Sequence, residues 1–283
     1  MPSIPGSSTQ KADIMDTDPQ KDPDRKNYPP VTGIRRDEHV GMVREIFATI
    51  TGRYDFLNHL LSLRRDIAWR RFTIRKMRFF KTFRLLDVAT GTADLAIEAA
   101  DGHPGIHVTG VDFVEEMLAV GRQKIASQGL SDRIRLLQAD AMTLPFPDGS
   151  FDAAGIAFGI RNMPDRIQAL REMQRIIVPG GQIFVLEMNF PRNRFWQSFF
   201  DLYLKRLLPG VARLFSGNPA AYRYLADSIL HFPSPQDFLR MMEEAGFRDV
   251  ERYSLTFGIT CLYIGSKEDD AIVKQQSDQK TSD

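Results

Sequence analysis

The sequence predicts an α/β protein whose parallel sheet is covered by helices on both faces. Three observations predict it. Short apolar runs alternate with segments of helical period, and a glycine turn, Thr90-Gly91-Thr92-Ala93-Asp94, follows the first of those runs. The acids Asp87, Asp112 and Asp140 then recur at the ends of three successive runs.

Taken in order, apolar spacing of three and four predicts helices near residues 38–50, 53–61 and 65–77. Residues 83–89 read as a strand, 92–101 as a helix, 106–112 as a strand, 114–128 as a helix and 134–138 as a strand. The run 151–158 is too short and too apolar for an amphipathic helix, so it reads as a buried strand. A helix over 165–177 follows, then a turn at Pro179-Gly180-Gly181 and a strand over 182–186. Residues 192–232 read as a helical insertion, 235–246 as a helix, and 250–256 and 261–266 as two closing strands. Helices between strands imply parallel pairing with both faces buried.

Composition sets the bounds. A chain of 283 residues with 43% hydrophobic and 26% charged residues can build a real core, which excludes fibrous and wholly disordered classes. The single cysteine, Cys261, cannot form an internal disulfide, the first residues lack the order of a signal peptide, and no apolar run approaches the roughly 18–20 residues of a membrane span. A cytoplasmic protein is the expectation. The polar segments 1–38 and 267–283 are expected to be disordered, leaving one domain over 39–266. Two basic stretches, 64–84 and 192–223, have two readings: solvated helix faces, or a surface set against anionic lipid at the inner face of the membrane.

In such a sheet the ligand lies beyond the carboxyl ends of the strands, where strand order reverses. Asp87 ends the first strand, and Gly91 supplies a turn open to residues without a β-carbon. Asp112 stands where a carboxylate can accept both hydroxyls of a ribose, and Asp140-Ala141 where an adenine edge can be met. Neither the dinucleotide fingerprint nor the P-loop pattern is present. Asp94 instead places an acid in the loop, which suits a ligand with a ribose and a cationic amino-acid tail. S-adenosylmethionine is such a ligand.

Several blocks then carry a resemblance. They are Tyr54 to Ser62 with Trp69-Arg70, Asp87 to Asp94, Leu144 to Asp148, Phe158-Gly159-Ile160-Arg161-Asn162, Pro179-Gly180-Gly181 with Glu187, and Tyr224-Leu225 through Ser228-Ile229 to Phe232-Pro233. Over residues 43–266 the chain resembles the quinone C-methyltransferases of ubiquinone and menaquinone biosynthesis. These lie within the class I S-adenosylmethionine-dependent methyltransferases. The resemblance implies a mostly parallel, seven-stranded, Rossmann-like sheet with an N-terminal helical segment and a helical insertion before the last strands. It also implies that Thr92, Asp112, Asp140 and Ala141 contact the cofactor. Departures from the family pattern are Arg64 and Ala93 in place of glycine, Ala157 where some members have serine, Asn189 in place of serine, and Thr256-Phe257-Gly258 in place of Gly-Gly.

The chemistry follows from the acceptor. A ring carbon is a poor nucleophile unless a neighbouring hydroxyl has lost its proton, so the substrate is a reduced quinol and the enzyme must accept a proton or stabilise a phenolate. Arg161 is the candidate for stabilising that charge and Asn162 for orienting a hydroxyl. Tyr54 is the candidate for bonding the other ring oxygen, with His59 and Asp55 as weaker proton acceptors. His59, Trp69 and Glu187 also have structural readings, and nothing calls for a metal. Phenylalanines crowding the insertion suit a polyprenyl tail. Whether the ring is a naphthoquinol or a benzoquinol is left open, with a leaning to the naphthoquinol. Oligomeric state is also open, a homodimer being common among soluble enzymes.

Two rivals are a nucleic-acid methyltransferase and a non-catalytic cofactor-binding scaffold. The first is disfavoured because Ala157-Phe158-Gly159-Ile160 stands where base methylation uses an Asn/Asp-Pro-Pro-aromatic loop. No nucleic-acid partner is therefore expected.

Overall fold

Three helices, α1 (Arg36–Ile50), α2 (Tyr54–Leu61) and α3 (Arg65–Ile74), lead into the alternating part of the chain. The structure is a computed structural model and describes residues 36–189 and 219–269. The alternating part runs β1 (Arg84–Val88), α4 (Asp94–Gly102), β2 (His107–Asp112), α5 (Glu115–Ser127), β3 (Ile134–Gln138), β4 (Phe151–Ala157), α6 (Arg166–Ile176) and β5 (Ile177–Met188). It closes with α7 (Pro219–Leu230), α8 (Pro235–Glu244), β6 (Phe247–Leu255) and β7 (Thr260–Lys267). The strands form one seven-stranded sheet in the order β3-β2-β1-β4-β5-β7-β6. All neighbours pair in parallel except β7, which is antiparallel to both β5 and β6.

The two-residue period of a strand sorts the core into two layers. Leu86, Val88, Ala154, Ile156, Ile183 and Val185 pack on one face, with Leu170 and Met173 of α6 and Phe238 of α8. Leu85, Ala153, Phe184 and Leu186 pack on the other, with Trp69 of α3 and Leu95 and Ile97 of α4. Each large side chain fully buried this way contributes about 1.5–3 kcal/mol. The first six positions of β4 are all buried, as befits the middle of the sheet, whereas β3 at the edge is half exposed.

Two details differ from the sequence reading. Pro179-Gly180-Gly181 is not a turn before the strand but a bulge within β5. The register jumps there, from Phe151 opposite Ile177 to Ala153 opposite Gln182. Gly180 takes φ +76°, and a β-carbon at Gly181 would lie 2.5 Å from the carbonyl oxygen of Asp152, so glycine is required at both. Asp152, given no role by the sequence, is fully buried and accepts the backbone amides of Phe80, Lys81, Thr82 and Phe83, fixing the entry to β1. Of the expected insertion, residues 190–218 lie outside the described residues, as do 1–35 and 270–283 of the two tails. Arg36 to Glu38 already belong to α1.

Candidate active site

A cavity opens across the carboxyl ends of β1, β2, β3 and β4, and so spans the point between β1 and β4 where strand order reverses. Ala89 and Gly91 line it from the loop after β1, Asp112 to Val114 from the end of β2, Ala139 to Met142 after β3, and Ala157 to Gly159 after β4. Asn162, Met163 and Pro164 complete that side, while Val40, Val43 and Phe47 of α1 form the opposite wall. The lining is mostly apolar with a few convergent polar groups, the usual make-up of a small-molecule site.

The glycine loop is built on left-handed backbone at Ala89, Gly91 and Ala93, with φ of 51°, 56° and 69°. Gly91 donates its amide to Asp112 Oδ2 at 2.8 Å, and the other carboxylate oxygen accepts Val114 N at 2.9 Å. Burial pushes the Asp112 carboxyl above the ordinary carboxylate value, opposed by the amides of Val114, Gly91 and Phe113. No atom lies within 4 Å of a β-carbon built on Gly91, so that glycine is needed for its conformation rather than for a tight approach within the protein. Asp140 is exposed at the rim, where Oδ1 caps its turn through Met142 N at 2.9 Å, and Ala141 beside it is half-buried.

Asp87 and Thr92 do not line the cavity. Asp87 lies beneath the loop, 1% exposed, accepting the Thr90 hydroxyl at 2.6 Å and Ala96 N at 3.1 Å. Burial raises its pKa to about 7. The reason is the strand period: Asp87 shares a face with Leu85, the face covered by α4. Thr92 turns the other way, giving its hydroxyl to Asp55 Oδ1 at 2.5 Å. Lys124 of α5 bonds Asp55 Oδ2 at 2.8 Å and pairs with Asp94. Arg70 then joins Asp94 at 3.0 Å to Asp66 at 2.7 Å, and Asp66 holds His59 Nδ1 at 2.8 Å. His59, Asp66 and Asp94 are close enough together to suggest metal ligation, but Arg70 and Lys124 already supply the positive charge among them. One continuous network thus ties α2 and α3 to the glycine loop, and Asp55 and His59 are members of it.

After β4, the 3-10 turn Ile160–Asn162 separates its two polar residues. Asn162 lines the cavity, whereas Arg161 is 4% exposed and turned inward. Its Nη1 donates to Glu187 Oε1 at 2.6 Å, and Glu187 is itself fully buried at the end of β5. The guanidinium expected to stabilise a phenolate is therefore paired with Glu187 behind the cavity rather than in its lining. A carboxylate buried at that strand end requires a partner, and Arg161 is the cation that reaches it. Arg166, half-buried, adds a second guanidinium, donating to the Arg161 carbonyl at 3.2 Å and lying over the Phe232 ring. Tyr54 opens α2, and its side chain lies outside the described residues. Trp69 is structural: it gives its indole N–H to Thr256 Oγ1 at 2.9 Å and tilts against Phe158.

The model of the ubiE/COQ5 methyltransferase family matches residues 34–267. The chain belongs to the ubiE/COQ5 methyltransferase family. Among its relatives, the ubiquinone/menaquinone biosynthesis C-methyltransferase UbiE of Geobacter sulfurreducens is 44% identical over 238 residues, 84% of this chain and 93% of that protein. The demethylmenaquinone methyltransferase of Deinococcus radiodurans is 44% identical over 242 residues, covering 86% and 98%. Solved structures share the fold at low identity. The [4+2]-cyclase SpnF has a TM-score of 0.59 at 18% identity, covering 80% of this chain and 95% of that one. An S-adenosylmethionine-dependent methyltransferase from Thermotoga maritima, a possible histamine N-methyltransferase, has a TM-score of 0.55 at 19% identity, covering 80% and 99%.

Within the ubiE/COQ5 frame, the residues singled out from sequence divide by position. Gly91, Asp112, Asp140, Ala141 and Asn162 meet at the cavity; Asp87, Thr92 and Arg161 support it from outside. The wall supplied by α1 was not read from the sequence, since Val40, Val43 and Phe47 form an ordinary apolar stripe at helical spacing. Nor were two polar residues behind Asn162. Tyr224 had a signal, standing in one of the blocks that carry the resemblance; His39 had none.

Proposed function

We propose that this protein catalyses S-adenosylmethionine-dependent C-methylation of a polyprenylated quinol ring, the step that converts demethylmenaquinol to menaquinol or the matching step toward ubiquinone. The observation that carries the reading is the cavity over the β1/β4 switch point, lined by both Asp112 and Asn162, in a ubiE/COQ5 chain. The names of the relatives favour a naphthoquinol or a benzoquinol ring over any other acceptor.

The residues fit the cofactor. The two oxygens of Asp112 accept the backbone amides around them and keep lone-pair capacity for a ribose hydroxyl. Ala139 to Met142 offer small apolar contacts and a rim carboxylate to an adenine, and the open side of Gly91 admits the amino-acid portion. When bound, S-adenosylmethionine supplies an electrophilic methyl group. Asp87, Thr92 and the Lys124 network hold the loop beneath and beside it.

The protein's part in the reaction is positioning and charge. Asn162 donates to the ring oxygen that becomes phenolate, and Tyr54 bonds the opposite oxygen. Arg161 and Arg166 act from behind: Arg161 pairs with the buried Glu187, Arg166 holds the Arg161 carbonyl, and both guanidiniums act on the Tyr224 hydroxyl that bonds Asn162. Such a fixed field favours an anion forming nearby. The α1 wall excludes water and sets acceptor and donor close together, where orientation supplies much of the acceleration. The ring carbon held there would take the methyl group that the bound donor supplies, the donor's sulfur keeping the bond pair as a thioether, and the displaced ring proton would pass to solvent.

Peripheral membrane contact belongs to the same reading. Leu63 and Phe257 are 80% and 73% exposed, Arg64 and Arg65 are exposed beside Leu63, and Trp69 of α3 bonds Thr256, the neighbour of Phe257. Among the described residues no helix is long and apolar enough to cross a membrane. A homodimer is the proposed assembly. The decisive experiment is a methyl-transfer assay with labelled S-adenosylmethionine and reduced naphthoquinol and benzoquinol acceptors. Transfer to a reduced ring is expected; transfer only to oxidised quinones would contradict the phenolate argument.

A further inference from the structure

Asn162 is held from behind by two residues. Its Oδ1 accepts the hydroxyl of Tyr224 at 3.2 Å, and that hydroxyl lies 3.3 Å from Nε2 of His39. Tyr224 and His39 are 5% and 6% exposed. The three come from separate parts of the chain, the turn after β4, α7 and α1, and α7 packs against the other two.

The Tyr224 hydroxyl, donating to Asn162 Oδ1, sets the polarity of this chain of hydrogen bonds. Burial, followed by the charge of Arg166, holds His39 below the ordinary histidine value, so the ring is neutral at pH 7 with one N–H to give. Burial pushes Tyr224 up to about 12, so its hydroxyl keeps its proton. With that proton on Asn162 Oδ1, the Tyr224 oxygen is free to accept from His39 Nε2–H. The carbonyl of Asn162 is then occupied from behind and its amide N–H groups are the ones left for the cavity. We infer that His39 and Tyr224 are positioning residues for methyl transfer, forming a one-way hydrogen-bond chain that fixes the Asn162 amide with its donors toward the substrate's ring oxygen. The inference rests on the quinol reading. An amide free to flip would present its carbonyl to a phenolate half the time, and a donor polarised by two bonds behind it is stronger than one alone.

The test uses Tyr224→Phe, His39→Ala and His39→Gln, with kcat measured at saturating reduced quinol and cofactor affinity measured by calorimetry. Tyr224→Phe is expected to lower kcat roughly tenfold, less than the loss of a direct donor, with cofactor affinity unchanged. His39→Ala is expected to act in the same direction and His39→Gln, which restores an N–H, to recover activity. The double variant His39→Ala/Tyr224→Phe is expected to be no slower than Tyr224→Phe alone, because His39 acts only through the tyrosine. A merely structural role would lower melting temperature and leave kcat intact. An active wild type with a fully active Tyr224→Phe overturns the inference alone, whereas a wild type inactive on every reduced quinol overturns the functional reading. Nitrogen NMR of His39 in the unmodified protein decides independently of any variant: the Nε2–H tautomer is expected, and the Nδ1–H tautomer overturns the chain.

Discussion

Several side chains sit where the backbone prefers none. Arg64, Ala93, Thr256 and Phe257 all have φ between 43° and 69°; the resemblance expects glycine at Arg64 and Ala93, and a Gly-Gly within the segment 256–258. A left-handed conformation costs an L-residue roughly 1–2 kcal/mol. Arg64→Gly is therefore expected to stabilise the protein by about 1 kcal/mol in a denaturant titration, since the side chain is exposed. Ala93→Gly gains less, because its methyl group is fully buried in the core beside α4. Asp87 gives a second residue-scale expectation. Its folded pKa, about 7, lies above the unfolded value of 3.8, so the native state holds a proton that the unfolded chain has lost between those limits. That contribution to stability is complete below about pH 4 and disappears as pH rises through about 7, at roughly 1 kcal/mol per pH unit within the window. Asp87→Asn cannot ionise, and its stability should be flatter over that range by thermal melts.

The elements were legible because their signals are local. Strand 151–158 was an apolar run with nothing of a helix's amphipathic period, and the structure has β4 at Phe151–Ala157. Asp112 and Asp140 were legible as strand-end acids for the same reason. What the sequence concealed is what depends on distant partners. Nothing near Arg161 announces that Glu187, 26 residues on, will take its guanidinium out of the cavity. Nothing near Thr92, expected to contact the cofactor, announces that Asp55, 37 residues earlier, will hold its hydroxyl. The Pro-Gly-Gly segment misled because a bulge and a turn want the same residues. The Arg161–Glu187 pair also makes an element-scale prediction. Glu187→Ala leaves a buried guanidinium uncompensated where β5 meets the 160–162 turn, and should destabilise the protein by about 3–5 kcal/mol in urea. A loss under 1 kcal/mol would mean that the pair is hydrated.

For the whole molecule, the question is how a greasy substrate reaches a cavity in a protein without a spanning helix among its described residues. The proposed membrane contact rests on the exposed Leu63 and Phe257 with Arg64 and Arg65, apolar and basic side chains suited to shallow insertion plus charge. Leu63→Ser/Phe257→Ser is expected to reduce co-sedimentation with anionic vesicles severalfold while leaving turnover of a short-tailed, water-soluble quinol unchanged. Equal sedimentation of both proteins would place the contact elsewhere.

The two guanidiniums behind Asn162 have a consequence beyond turnover. Their positive potential beside Asn162 favours any phenolate that reaches it, whether or not it can react, and a bound anion stabilises the folded state by mass action. A series of unreactive phenols of graded acidity should then raise the melting midpoint in order of their ionisation. The slope of that series would measure how strongly the pocket behind Asn162 prefers an anion.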